Sequence, residues 1–456
     1  MDYKKSKVKV ACAGAGKTYA MAEEILNFNT YNTEEKDIIA ITYTNTARDN
    51  IYNNIHKQNL TIPTRIKIST IHSFLLEYII YPYSNYILSK KYSTATSIPL
   101  SDNFVFKNKR ISELEKKQIV HNEKVFKLSK QIIVPYKGDN VLIRKKKNII
   151  LEHLLSSISA IFVDESQDLD DDVIRVLEFL GNNGIYVYMI GDPKQALKYP
   201  QVFKEFVNNV CENKISSFEN LPSNNITRRL PKKHVDVSNI ICNCLEKQTT
   251  IKEIDGSLKY IYSDDTEFQN IYNSFQNDSS MCYIKRKNKQ FNTQNNDKID
   301  SILLEEILKL NLNNDDKDAL LFEKIHELYA LISKKNNTQL GLKSFLNKYQ
   351  ITLNSNDYAK LISSLDNKQN GIFNILSIDK VKGLEKENCM FILDDSLLEY
   401  LFKIKTKSNK EMNYLYVGLT RSTKNLLLVI DVQNLKKFNK DFIDKKMVEL
   451  KIEKYN

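Results

Sequence analysis

The chain has 456 residues, enough for about three compact domains at ~150 residues each. Apolar residues make up 42% and charged residues 27%, which excludes a disordered chain, and no apolar run reaches the ~18 residues that a membrane-spanning helix needs. Lys and Arg number 67 against 56 Asp and Glu. The net charge of +11 favours either a polyanionic partner, nucleic acid first among them, or a Lys-rich composition without a specific partner.

Short apolar runs alternate with helical patterns through the first half of the chain. They are continuously apolar, as strands of a parallel sheet covered on both faces are, and the helical segments between them predict βαβ crossovers. These runs are Val8–Cys12, Ile38–Thr42, Ile66–Ser69, Ala160–Val163 and Tyr186–Ile190. A second set follows at Leu258–Tyr262, Met281–Lys285, Phe373–Ser377, Met390–Leu393 and Leu426–Ile430. We therefore predict an α/β fold with two parallel sheets.

Two regions break this alternation and predict mostly helical insertions into the two sheets. Residues 76–158 are rich in Tyr and Lys, and residues 291–370 contain two amphipathic helices. The apolar faces are Ile299, Ile302, Leu303, Ile307 and Leu310 in one helix, and Leu321, Ile325, Leu328 and Ile332 in the next. The predicted division is a first sheet domain at 1–75 and 159–222 with its insertion at 76–158, and a second at 223–290 and 371–456 with its insertion at 291–370.

A phosphate-binding loop is predicted between the first strand and the first helix. The segment reads Ala11-Cys12-Ala13-Gly14-Ala15-Gly16-Lys17-Thr18, a P-loop pattern with Ala in place of its first Gly. Small residues let backbone N–H groups close around phosphates, Lys17 would reach the β- and γ-phosphates, and the Thr18 hydroxyl would bind Mg²⁺. The alternative is an ordinary loop that matches by chance, which the position between a strand and a helix disfavours.

Acidic and amide side chains end two further strands of the first set. Asp164 and Glu165 follow an apolar strand, so they are expected beside the P-loop at the carboxyl edge of the sheet. Asp164 can hold Mg²⁺, and Glu165 can orient or deprotonate an attacking water. Gln195 ends another strand and can contact both the γ-phosphate and the water. The alternatives are a strand-to-helix cap for the acids and a polar turn for Gln195.

These motifs, with five more, resemble in order those of the UvrD/Rep-type superfamily 1 DNA helicases. The nucleotide motifs are Ala13 to Thr18, Asp164-Glu165-Ser166-Gln167-Asp168 and Gly191-Asp192-Pro193-Lys194-Gln195. Two more motifs lie at the ends of the second and third predicted strands. They are Thr42-Tyr43-Thr44-Asn45 with Ala47, and Ser69 to Phe74. The later ones are Arg229 with Pro231 and Asn239, Lys382-Gly383-Leu384-Glu385, and Tyr416 to Arg421.

The resemblance implies two RecA-like domains with ATP and Mg²⁺ between them and single-stranded DNA running across them. It implies catalytic roles for Lys17, Glu165 and Gln195 in the first domain, with Arg229 and Arg421 reaching in from the second as arginine fingers. Nucleotide contacts are implied for Ala13, Gly14, Ala15, Gly16, Lys17, Thr18 and, at the ribose, Glu385; metal contacts for Thr18 and Asp164. The DNA-binding candidates are Tyr43, Thr44, Asn45, Thr70, His72, Lys198 and Lys380.

The chain also departs from the family pattern. No Gln precedes the P-loop to read adenine, and Arg228 stands where the family has a Tyr that stacks on adenine. Lys198 and Pro200 stand at the places of a Tyr and a Trp that stack on DNA bases, and the chain has no Trp at all. The second insertion is less than half the family's usual size. The compact size and the run Phe74–Pro82 resemble the helicase-like subunit of Gabija antiphage systems, which works beside a nuclease subunit with its own ATPase domain.

Three roles fit such an ATP-driven engine: a processive repair helicase, a short-range translocase, and a DNA-sensing NTPase that switches a partner nuclease. The reduced insertion favours the second or the third. A P-loop kinase acting on a small molecule is the alternative outside nucleic-acid metabolism, and it leaves Arg421, Glu385 and the second sheet unexplained. The chain has no CxxC pair among its six cysteines and no apolar signal-peptide region at its start, so we predict a cytoplasmic location.

Overall fold

The computed structural model describes residues 3–100, 103–242, 247–251, 256–275, 279–288, 290–293, 337–366 and 373–455, with single positions between 303 and 335. Contacts between residues group the chain into two units. The first comprises 1–94, 122–285 and 376–456, and the second comprises 95–121 and 286–375. The P-loop, the acidic motif and the motif that ends at Arg421 all belong to the first unit. The division into two sheet domains with separate insertions stays a prediction.

The strands and helices of the described residues follow in chain order. The strands are β1 (Ser6–Ala11), β2 (Asp37–Thr42), β3 (Ile66–Thr70), β4 (Thr94–Thr96), β5 (Ile119–His121), β6 (Ile158–Val163), β7 (Tyr186–Gly191), β8 (Phe218–Asn224), β9 (Ile226–Thr227), β10 (Thr249–Thr250), β11 (Ser257–Tyr262), β12 (Ser280–Ile284), β13 (Phe291–Thr293), β14 (Phe373–Ser377), β15 (Lys386–Leu393), β16 (Ser422–Ile430) and β17 (Glu453–Lys454). The α-helices are α1 (Lys17–Tyr31), α2 (Asn45–Asn59), α3 (Ile71–Leu75), α4 (Tyr81–Leu88), α5 (Phe104–Lys116), α6 (Asn122–Ile133), α7 (Val141–Ser157), α8 (Asp171–Asn182), α9 (Val202–Cys211), α10 (Lys232–Ser238), α11 (Phe268–Ser274), α12 (Thr338–Lys348), α13 (Ser355–Asp366), α14 (Ile378–Val381), α15 (Asp395–Leu401), α16 (Lys410–Leu419) and α17 (Lys440–Glu449). A π-helical turn, Leu76–Ile80, joins α3 to α4.

The first sheet is parallel throughout, with the strand order β3-β2-β6-β7-β1-β8. Every residue of β6 and β7 is buried, because helices cover both faces of the sheet. The core on one face is aromatic, with Phe28 stacked on Tyr186 and Phe162 packed against both rings. Since the strands run the same way, their carboxyl ends share one edge, and the motifs after β1, β2, β3, β6 and β7 meet there.

A second parallel sheet lies in the same unit, with β12, β15, β16, β11 and β17 in that order. The last two residues of β14 pair beside β12, with Leu376 opposite Tyr283. The buried rings of Tyr283 and Phe391 stack at a centroid distance of 5.1 Å, and α15 and α16 pack on this core. The predicted fold class, two parallel sheets with helices, is confirmed, and the predicted strands agree with the observed ones to within a few residues at their ends.

The second unit has its own apolar cluster, built by α12, α13 and single described positions of the predicted amphipathic segment. Leu303, Ile307 and Leu328 are buried with Phe345 and Leu361, and Ile332 packs against them. The other predicted face residues, Ile299, Ile302, Leu310, Leu321 and Ile325, lie outside the described residues. A search of the described helices finds none that is both long and apolar enough to cross a bilayer.

Packing between α16 and the second sheet depends on a glycine. A Cβ added at Gly418 would lie 2.2 Å from Cε1 of the buried Phe391 ring. We predict that Gly418→Ala lowers the free energy of unfolding by about 1–3 kcal/mol through overpacking. Gly138→Ala is the control, because its Cβ would meet only the exposed Tyr136 ring, which can move. Denaturant titrations of both variants check this, and an unchanged midpoint for Gly418→Ala would contradict it.

Candidate active site

The P-loop lies between β1 and α1 and needs glycine at two positions. Gly14 and Gly16 have φ angles of +74° and +78°, a left-handed backbone conformation that residues other than glycine rarely adopt. At Gly14 space is also closed, since a Cβ would lie 2.5 Å from Thr227 Oγ1 and 2.6 Å from Arg229 Cβ. Arg228 N–H donates to the Gly14 carbonyl at 2.9 Å. Residues 227–229, which follow β8, therefore pack directly against the P-loop.

Lys17 opens α1 at the carboxyl edge of the sheet. Its side chain is buried, with the residue only 9% exposed. Among the described residues, its ammonium group has no hydrogen-bond or ion-pair partner. The charge of Lys17 acts on the nearby carboxylates of Asp164 and Glu165, and a phosphate anion would give its ammonium group direct acceptors. This arrangement fits the predicted contact between Lys17 and a phosphate.

Thr18 and Asp164 form an oxygen pair suited to Mg²⁺. The Thr18 hydroxyl donates to Asp164 Oδ2 at 2.7 Å, and Glu165 N–H donates to Asp164 Oδ1 at 2.9 Å. Burial raises the pKa of Asp164 to about 6, and the charge of Glu165 adds to the effect. A divalent cation would compensate both carboxylates, and hydroxyl and carboxylate oxygens are ligands that Mg²⁺ prefers. The residues present therefore fit the predicted metal.

Glu165 is held in a strained position beside these groups. Its φ of +51° is left-handed, and its carboxylate accepts a hydrogen bond from Gln167 Nε2. Burial alone would raise its pKa, but the charges of Lys17, Lys382 and Arg421 outweigh burial, so the pKa lies below its ordinary value. Glu165 is therefore ionised at neutral pH and can accept a proton. Strain of this kind collects at functional sites.

Arg421 brings a second cation to the same place from the end of α16. It is 1% exposed, and it donates to Val417 O at 3.1 Å, to Leu384 O at 3.4 Å and to Gln195 Oε1 at 3.1 Å. Burial lowers the pKa of Arg421 to about 10, with Arg229 acting in the same direction. Its acceptors are neutral, and within the described part of the chain it forms no direct ion pair. The two sheets thus bring together Arg421 and Gln195, both of which are predicted to act at the γ-phosphate.

Arg229 and Glu385 are also brought together, by an ion pair between Arg229 Nε and the Glu385 carboxylate. Glu385 is about half exposed, and Arg229 is mostly covered. Their predicted roles, a second arginine finger and a ribose ligand, stay predictions.

Six of the seven DNA-binding candidates, all except Lys380, lie on the same edge, at the ends of β2 and β3 and after β7. Lys198 Nζ donates to the Tyr43 hydroxyl at 2.8 Å and lies 4.0 Å from the Tyr43 ring centroid. His72 packs edge-on to Tyr43 and against Phe126. Burial lowers the pKa of His72 to about 4, aided by the charge of Lys198, so the ring is neutral at neutral pH.

The remaining DNA-binding candidates have mixed surroundings. The Thr44 and Thr70 hydroxyls cap α2 and α3 by accepting from Ala47 N–H and Ser73 N–H. Both residues therefore have a structural role besides the predicted contact with DNA. Asn45 is exposed at the start of α2, and Lys380 is half-buried in α14. Whether any of these residues binds DNA stays a prediction.

Sequence reasoning missed two contacts of this site. Lys382 forms an ion pair with Asp168, so a residue from beyond the second insertion reaches the acidic motif. Gln167 Oε1 accepts from Asp192 N–H at 2.9 Å and ties the segments after β6 and β7 together. The motifs contain all four residues, but only their position next to predicted site residues could have indicated these roles.

Known proteins resemble this chain in sequence. A family described as "AAA domain" matches residues 3–201, which include the P-loop and the acidic motif. The Gabija protein GajB of Bacillus cereus (strain VD045) is 23% identical over 97% of this chain and 95% of its own length.

Two solved structures of an Arterivirus helicase, nonstructural protein 10, alone and with DNA, align with TM-scores of 0.36 and 0.37. Their sequence identities are 10% and 9%, and the alignments cover 93% and 99% of this chain. The chain spans 59% and 64% of the length of those helicase chains.

The phosphate loop, the acidic pair and the AAA-domain match define the class: the chain is a P-loop NTPase, as predicted. Within that class it is similar over nearly its whole length to a Gabija protein. The predicted resemblance to a Gabija protein is confirmed. Membership of the UvrD/Rep-type superfamily 1 helicases stays a prediction.

Arg421 should act on the transition state more than on binding. We predict that Arg421→Ala lowers kcat by about 10³-fold or more, while nucleotide affinity changes far less, because a guanidinium at the γ-phosphate stabilises charge that develops during transfer. Single-turnover hydrolysis and fluorescent-nucleotide titration measure the two effects. The exposed Arg175, replaced by Ala, is the control. Equal losses in rate and affinity would make Arg421 a ground-state contact.

The buried carboxylate of Asp164 is expected to lower the stability of the metal-free protein. Its folded pKa of about 6 exceeds the ordinary 3.8, so between these values the folded state binds more protons than the unfolded state. Stability is therefore highest below the lower value and falls as pH rises through the higher one. We predict that Asp164→Asn raises the unfolding free energy at neutral pH in EDTA by on the order of 1 kcal/mol. Its melting temperature should rise accordingly.

The same variant should flatten the dependence of stability on pH between these two values, whereas Asp49→Asn, at an exposed carboxylate, should leave the wild-type curve unchanged. Thermal melts across this range make the comparison. A lower melting temperature for Asp164→Asn in EDTA would contradict the predicted charge strain.

Proposed function

We propose that the chain is a DNA-dependent NTPase that hydrolyses ATP with Mg²⁺ in order to translocate on, or remodel, single-stranded DNA. Residues 192–198, just after β7, support this most directly. Gln195 in this segment accepts from Arg421, and Lys198 three residues later donates to Tyr43. A change of DNA contacts at Lys198 would therefore act on the segment that holds Gln195 against the arginine of the second sheet.

The residues support hydrolysis by the following roles. Lys17 and the P-loop N–H groups would hold the triphosphate, with Thr18 and Asp164 holding Mg²⁺. Bound Mg²⁺ would supply neutralisation of charge on the phosphate oxygens. Glu165 would orient the attacking water and take its proton as the new P–O bond forms and the bond to the leaving ADP breaks. Arg421 would stabilise the charge on the transferring group.

Base specificity should be low in this proposal. Arg228, at the position of the stacking Tyr, is exposed, and its backbone N–H is bound to Gly14. Other nucleoside triphosphates are therefore included among the proposed substrates.

The first test is stimulation by DNA. We predict that single-stranded oligonucleotides raise the ATP hydrolysis rate, and that the concentration for half-maximal stimulation rises steeply between about 50 and 200 mM salt, because phosphate contacts release counterions. Lys198→Ala should raise that concentration further, whereas Lys214→Ala, at an exposed lysine paired with Glu212, should not. An ATP hydrolysis rate that single-stranded DNA does not change at any salt concentration would contradict DNA dependence.

A second candidate function is a DNA-sensing NTPase that regulates a partner nuclease in antiphage defence. The similarity to the Gabija protein GajB over nearly both full lengths favours it. So does the absence of Trp, because base stacking on aromatic side chains is worth about 1–3 kcal/mol per base and a motor needs a grip on the strand.

Unwinding assays on tailed duplexes of increasing length separate the two functions. A translocating helicase opens long duplexes, whereas a sensing subunit hydrolyses ATP on DNA and opens short ones at most. Efficient opening of long duplexes by the purified chain would rule out the second candidate. Adding the neighbouring nuclease, where the gene context supplies one, would then show whether ATP changes DNA cleavage.

A further inference from the structure

The Tyr416 hydroxyl, in α16, is a buried junction between the two sheets. The residue is 1% exposed. Its oxygen accepts from Ala13 N–H in the P-loop at 3.3 Å and lies 3.1 Å from Asp192 Oδ2 and 3.3 Å from Gln248 Oε1. Both of these oxygens only accept, and the charged carboxylate is the stronger acceptor, so the hydroxyl donates to Asp192. A single O–H group thus connects the P-loop to the segment after β7.

The same carboxylate oxygen continues the connection to Arg421. Gln195 Nε2 donates to Asp192 Oδ2 at 3.0 Å, and Arg421 Nη2 donates to Gln195 Oε1 at 3.1 Å. A chain of hydrogen bonds therefore runs from Ala13 through Tyr416, Asp192 and Gln195 to Arg421. Since Tyr416 and Arg421 both belong to α16 and its end, the helix closes this chain into a ring.

The surroundings keep the hydroxyl in this role. Burial raises the pKa of Tyr416 well above its ordinary value, and the charge of Asp192 adds to this, so the phenol keeps the proton it donates. Lys194 N–H donates to the other oxygen of Asp192 at 3.1 Å, and the Lys194 ammonium lies 5.0 Å from the Tyr416 ring centroid. The carboxylate is fully buried and fixed on both oxygens.

We propose that Tyr416 is a positioning residue for hydrolysis: its hydroxyl fixes Asp192 and Gln195 against the P-loop and thereby aims the Arg421 guanidinium. Without the hydroxyl, Asp192 Oδ2 loses one of its two side-chain donors, and the Gln195 amide gains freedom to rotate. Arg421 then loses a fixed acceptor, and small misplacements of a catalytic group are expensive in rate. The inference rests on NTP hydrolysis and is independent of the DNA dependence proposed above.

Tyr416→Phe tests this by removing one oxygen atom. The expected result is a kcat lower by about 10- to 100-fold, with nucleotide affinity changed by less than about threefold. Tyr414→Phe is the matched control, because Tyr414 lies in the same helix and its hydroxyl contacts Asp379 at 3.5 Å, away from the P-loop. This control should keep the wild-type kcat. A wild-type kcat in Tyr416→Phe, or equal losses in rate and affinity, would overturn the proposal.

A Gln195→Ala background separates positioning from a general structural role. If Tyr416 acts through Gln195, adding Tyr416→Phe to Gln195→Ala lowers kcat by less than about twofold further. Losses that multiply in full would show that Tyr416 acts by another route and would overturn the proposal.

Asp192→Asn breaks the chain at the next link while keeping the side-chain volume. It should reproduce the kcat loss, and it carries the test if Tyr416→Phe does not fold; a wild-type kcat in Asp192→Asn would then overturn the proposal. Rates are measured with and without single-stranded DNA. Wild-type protein that ignores DNA would contradict the proposed function, yet would leave the ratio of variant to wild-type kcat unaffected.

Discussion

Two buried cations that lack direct anionic partners dominate the site. Lys17 comes from the first sheet and Arg421 from the end of α16, and neither forms an ion pair with a described residue. Burying an unpaired charge is costly, which is why the pKa of Arg421 falls to about 10 on burial. Opposite them, the pKa of Asp164 is raised to about 6. A triphosphate with a divalent cation would compensate both sets of groups, so the apo protein stores charge strain that its substrate relieves.

This arrangement makes hydrolysis depend on contacts between the two sheets. Gln195 follows a strand of the first sheet, yet its side-chain oxygen is held by Arg421. The P-loop carbonyl of Gly14 is bound by Arg228 N–H, which lies on the way into the second sheet. A shift of either sheet would therefore change the acceptors around the reacting phosphate, and Lys198 offers a route by which DNA could cause such a shift. Coupling of this kind requires two arrangements of the same contacts, of which the structure shows one.

Much of the fold could be predicted from the sequence, because buried parallel strands such as β6 and β7 are continuously apolar. The edge strand β8 was missed, since its sequence is polar, contains Pro222 and is mostly exposed. The P-loop and the acidic pair follow from ordered motifs, whereas the motifs predict Arg421 and Gln195 at the same phosphate but not their contact with each other. The Arg229–Glu385 pair and the Tyr416 hydroxyl junction could not be predicted, because they join residues more than 150 positions apart through single side-chain atoms. Such contacts depend on the angle between elements, which sequence patterns leave open.

The central claim is that cations from both sheets act on one phosphate group. A structure of the chain with Mg²⁺, ADP and aluminium fluoride, which mimics the transferring phosphoryl group, tests it most directly. The account predicts that the Lys17 ammonium and the Arg421 guanidinium both lie within hydrogen-bond distance of the fluoride group. A complex in which Lys17 holds the nucleotide while Arg421 makes no contact with the fluoride group would contradict it.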